Sequence, residues 1–141
     1  MFNNVLCAIK LDVEHSWKKA LPCAIELLRG NTGNLHLLTV VPEFGLSVIS
    51  QYFPENFEEE TLNATKDAMR EFIDKNVPKD VPSRAIVAQG KAYEQVLRIA
   101  EQIDADAIVM AAGNPSLAQY LLGPNASRVV RHATCSVLVV R

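Results

Sequence analysis

Two stretches in the last third of the chain carry residue types that suit binding better than reaction. Gly123-Pro124-Asn125-Ala126-Ser127 reads as a helix start. Glycine suits the N-cap, and proline suits the first helical position, where its fixed φ is already helical. The amides of Asn125 and Ala126 would then have no intrahelical acceptor, and the positive end of the helix dipole adds to them. Together these features favour an anion such as phosphate. A capped helix without any ligand has the same pattern, so position must decide. Ala111-Ala112-Gly113-Asn114 sets three small side chains in a row, which lets a ligand approach the backbone. A tight turn that needs only Gly113 would look the same.

Groups that could react are sparse. His36 falls in an apolar run and reads as a structural residue. His132 closes a helical pattern, where the dipole favours a cation. Cys135 follows three residues later, but no third partner for a metal or a nucleophile is visible. His15, Asp12 and Glu14 read as loop groups in water. Neither GxxxxGK[ST] nor GxGxxG occurs, so the P-loop and dinucleotide fingerprints are absent. A phospho-receiver needs an aspartate closing its third strand, and here that strand ends Val87-Ala88-Gln89. A flavodoxin needs a hydroxyl-rich loop after its first strand, which Lys10-Leu11-Asp12-Val13-Glu14 cannot supply.

The elements that position these residues follow from periodicity. Apolar runs at 5–9, 35–41, 84–88, 107–111 and 136–140 predict strands, and the unbroken run 5–9 reads as one buried on both faces. Between them, residues 16–29 predict a helix capped by Ser16, in which Pro22 demands a kink or a late start. Leu62, Met69, Phe72 and Ile73 mark a helix over 58–75, and Val96, Ile99, Ala100 and Ile103 mark the next. A short helix over 124–132 precedes the last strand. Residues 42–56, with Phe44, Leu46, Val48, Ile49, Tyr52, Phe53 and Pro54, predict a long apolar connection that packs down as a flap. The alternation β-α-β-α-β-α-β-α-β means an α/β fold. It is a doubly wound five-stranded parallel sheet of order 3-2-1-4-5, with helices on both faces. Ligands in such sheets sit beyond the carboxyl ends of the strands, where the order reverses. That point lies between the first and fourth strands, so the loops 10–15, 41–53 and 111–125 face the crevice.

Composition bounds the rest. The 141 residues are 49% hydrophobic and 21% charged, which suits a single domain over 1–141. Fourteen basic against 16 acidic residues exclude a strongly basic nucleic-acid binder. No apolar run approaches the ~18 residues of a membrane span. Met1-Phe2-Asn3-Asn4 opens no signal peptide, and Cys7, Cys23 and Cys135 form no disulfide framework, so a cytoplasmic protein is expected. The last strand is apolar and lies at a sheet edge. Val137, Leu138, Val139 and Val140 are therefore expected to pair with a second copy in a symmetric homodimer.

Over essentially its whole length the chain resembles the universal stress protein family, whose fold is that of the adenine nucleotide alpha hydrolases. The residues that carry the resemblance are Val109-Met110-Ala111-Ala112-Gly113-Asn114 and the run from Tyr120 to His132. The ending Cys135-Ser136-Val137-Leu138-Val139-Val140-Arg141 matches too, and the closing segment looks like the short single-domain branch. The resemblance implies a homodimeric regulator of the stress response that binds ATP, with or without magnesium, and acts on a protein partner of unknown identity. Family members that bind ATP carry Gly-x2-Gly-x9-Gly-Ser/Thr. Gly123 matches the third glycine. Either Ala111 and Asn114, or Met110 and Gly113, match the first two, and Pro124 replaces the Ser/Thr. The aspartate that ends the family's first strand is Lys10 here, with Asp12 displaced by two. Ala8 and Ile9 lead into it, Val40 matches the residue whose backbone meets adenine, and Asn125 and Ala126 follow the phosphate glycine. These departures leave two other readings open: an interaction module that has lost its nucleotide, and a slow ATP hydrolase.

Overall fold

The computed structural model describes residues 2–30, 32–43, 56–113 and 122–141. Each apolar run forms a strand: β1 (Asn4–Ala8), β2 (Asn34–Val41), β3 (Ser83–Gln89), β4 (Ala107–Ala111) and β5 (Ser136–Val140). The helices between them are α1 (Ala20–Leu27), α2 (Phe57–Asn76), α3 (Ala92–Gln102) and α4 (Pro124–His132). All neighbouring strands run parallel in the order β3-β2-β1-β4-β5. This is the doubly wound arrangement that the alternation of elements predicts.

The strands lack polar alternation because both faces of the sheet are covered. Val5, Cys7, Leu35, Leu37 and Val109 face Ala20, Leu21 and Ala24 of α1 and Met69 of α2. Leu6, Leu38, Ile108 and Met110 face the other way, onto Val96 and Ile99 of α3 and Ala126 and Val129 of α4. Each fully buried leucine or valine in these two layers contributes about 1.5–3 kcal/mol. The Asp106 carboxylate accepts the amides of Asn3 and Asn4 at 2.7 Å and so fixes the start of β1 beside β4.

The first helix differs from the sequence expectation. It begins at Ala20, and Ser16 does not cap it. Ser16 ends a 3-10 turn, Glu14–Ser16. Pro22 has no amide to give the carbonyl one turn earlier, so the regular helix starts late and proline sits in its first turn, where no amide is needed. Trp17, placed by periodicity on the helix, instead precedes it and meets Phe72 of α2 edge to face, with centroids 5.1 Å apart. The predicted flap residues Phe44, Leu46, Val48, Ile49, Tyr52, Phe53 and Pro54 lie outside the described residues, as does Asn114.

Candidate functional site

At the carboxyl end of β1 the amide of Ile9 donates to the Leu38 carbonyl at 2.8 Å, after which the chain turns. Ser16 holds that turn. Its Oγ accepts the Lys10 amide at 2.8 Å and lies 2.8 and 2.7 Å from the carbonyls of Lys10 and Val13. The backbone of Lys10 is thereby occupied, and only its exposed side chain is left for other work. One residue before Ser16, the His15 imidazole donates from Nε2 to the Ala112 carbonyl at 3.1 Å. This bond joins the β1 turn to the end of β4.

Beyond β4, Gly113 and Gly123 are pressed together. The Gly113 amide donates to the Leu122 carbonyl at 2.6 Å. A Cβ on Gly113 would lie 2.8 Å from the Cα of Gly123, and one on Gly123 would lie 2.8 Å from the Cα of Gly113. Gly123 also has φ +87, a region that disfavours any side chain. Two glycines separated by nine residues are thus required by the chain's contact with itself. Gly123 is the N-cap of α4 and Pro124 its first residue, with no side-chain cap. The first helical bond runs from the Ser127 amide to the Gly123 carbonyl, so the amides of Asn125 and Ala126 have no helical acceptor.

These parts enclose a cavity of about 480 Å³. Its floor is Ala8, Leu38, Val40 and Met110, and α3 and α4 wall it through Val96 and Ala126. The volume falls within the range of small-molecule sites, ~300–1,000 Å³. Ala8, Ile9, Lys10, Val40, Met110, Ala111, Gly113, Gly123, Pro124, Asn125 and Ala126, all singled out from sequence, line it. Asp12 does not, because the turn after Lys10 leaves it exposed and away from the lining. His15, read from sequence as a solvated group, lines the cavity, as do Ser16, Gly90 and Ala92. Among the described lining residues Lys10 and His15 are the only ionisable side chains, and no carboxylate is present.

His132 and Cys135 lie elsewhere, beside Glu101 and Asp104 in a separate hollow of about 160 Å³. Among the described residues no three His, Cys, Asp or Glu side chains are placed to hold a metal ion. No described helix is long and apolar enough to cross a membrane.

The model of the universal stress protein family matches residues 1–141. The chain belongs to the universal stress protein family. Universal stress protein G of Shigella flexneri is 31% identical over 118 residues, covering 82% of this chain and 83% of that protein. Universal stress protein YxiE of Bacillus subtilis is 30% identical over 150 residues, covering the whole of both. Among solved structures, the universal stress protein UspA of Lactobacillus plantarum superposes with a TM-score of 0.77 at 24% identity, covering 99% of this chain and 97% of that one. A universal stress protein in complex with cAMP superposes at 0.61 with 18% identity, covering 99% and 97%. A family protein of Arabidopsis thaliana with AMP bound superposes at 0.62 with 19% identity, covering 98% and 90%. Similarity at this level fixes the fold of this universal stress protein, and its ligand must be argued from its own residues.

Proposed function

We propose that this universal stress protein is a cytoplasmic, homodimeric regulator that binds an adenine nucleotide, ATP with magnesium as counter-ion included, and reports its occupancy to a protein partner. The observation that carries the reading is the cavity itself. It is open, apolar on its floor and free of carboxylates among its described lining residues, and the start of α4 borders it with two amides that lack helical acceptors. An apolar floor suits a base, and amides at a helix start suit phosphate. The cAMP and AMP complexes of relatives support the same assignment. In this reading Ala8, Ile9, Val40 and Met110 take the adenosine end. Gly113, Gly123, Pro124, Asn125 and Ala126 take the phosphates, with Ala111 and Lys10 at the rim. Asn114 and Asp12 are assigned no part.

Binding is favoured over hydrolysis because no carboxylate lies among the described lining residues to activate a water. The free thiols of Cys7, Cys23 and Cys135 suit a reducing compartment. Titration calorimetry with AMP and ATP tests the assignment. Saturable binding is expected, together with a rise in melting temperature at ligand concentrations well above Kd. Absence of heat and of any thermal shift at millimolar nucleotide would contradict it.

A further inference from the structure

Taking the nucleotide site as given, we infer that Lys10 is a specificity residue that recognises a second phosphate, so that the site prefers adenine nucleotides with two or more phosphates over AMP. Three observations carry this. The Lys10 amide and carbonyl are both occupied within the 10–16 turn, by Ser16 Oγ and by the Val13 amide, so the residue can offer a ligand only its ammonium. That ammonium has no carboxylate partner among the described residues, and the nearby Glu14 is paired with Lys18 at 3.4 Å. Lys10 itself lines the cavity, two residues past the end of β1 and beside Ala8 and Ile9 of the same lining.

The cavity therefore has two separate attractions for negative charge. One is the pair of amides at the start of α4, which can satisfy a single phosphate group. The other is a mobile point charge at the end of β1, which gains nothing from a ligand whose only phosphate is already held by the amides. A ligand with a further phosphate engages both. A charge-assisted hydrogen bond at a water-accessible rim makes that phosphate worth about a tenfold gain in affinity. The second phosphate can extend the first, as in ADP, or stand on the ribose, as in adenosine 3′,5′-bisphosphate. Both present the same dianionic group to an ammonium.

Calorimetric titration of the full chain with AMP, ADP and adenosine 3′,5′-bisphosphate at one ionic strength tests the inference, with Lys10→Ala and Lys10→Arg beside the unaltered protein. Either ADP or the bisphosphate should bind at least about tenfold more tightly than AMP. Whichever does so identifies where the second phosphate sits. That ratio should fall below about threefold in Lys10→Ala and persist in Lys10→Arg. If AMP binds but neither doubly phosphorylated ligand binds more tightly, or if the ratio survives in Lys10→Ala, the inference fails and the nucleotide site stands. If none of the three ligands binds the unaltered protein, the nucleotide reading fails first and takes this one with it.

Discussion

His36, which its apolar run marks as a structural residue, is buried in the fold. It is 6% exposed on β2, its Nε2 stands 3.3 Å from Asn4 Oδ1, and its Nδ1 has no hydrogen-bond partner among the described residues. Burial, reinforced by the Arg84 charge across the sheet, holds its pKa below the ordinary histidine value of 6.5. The folded protein therefore binds fewer protons at this site than the unfolded chain. Stability should be level above pH 6.5 and fall as the pH drops below it, because the unfolded state gains a proton that the folded state resists. Urea denaturation between pH 7.5 and 5 measures this slope, and His36→Gln should flatten it. The structural reading of His36 was available from its apolar neighbours alone. His15 was not legible in the same way, since its partner Ala112 lies 97 residues away and nothing local marks the pair.

Elements were legible where the pattern was local. The 107–111 run gives β4 at those bounds, and the spacing of Val96, Ile99 and Ala100 gives the buried side of α3. Ser16 misled because its hydroxyl has the right chemistry for a cap but is taken by the Lys10 turn, while Pro22 delays the helix. The site was legible at β1, β4 and α4 through the switch-point rule. Gly90 and Ala92 were missed because the cavity reaches past that point, over β2 to the start of α3. Pro124 is where the α4 site departs from its family, since it has neither an amide nor a hydroxyl to give. Restoring both with Pro124→Ser should tighten AMP binding about tenfold, the worth of one added hydrogen bond to a charged group. Proline is favoured but not required at this first helical position, so the melting temperature should move by only a few degrees. An unchanged affinity would mean that α4 does not meet the phosphate.

For the whole molecule, the sheet order leaves β5 at an edge with its outer backbone unpaired by any described strand. Leu138 on that strand is 39% exposed, an apolar side chain on an apolar edge. In the proposed homodimer two β5 strands meet about a two-fold axis, so one substitution alters both sides of the contact. Leu138→Asp should convert a dimer to a monomer in sedimentation velocity while leaving the protein folded. A dimer that persists in the variant would place the interface elsewhere. In the proposed site the amides at the start of α4 that lack helical acceptors hold a nucleotide phosphate. Amide-resolved NMR during an AMP titration tests this most directly. Saturable shifts at Asn125 and Ala126 that follow one binding curve are expected, with smaller changes in β3. Saturating nucleotide that leaves those two amides unmoved would contradict it.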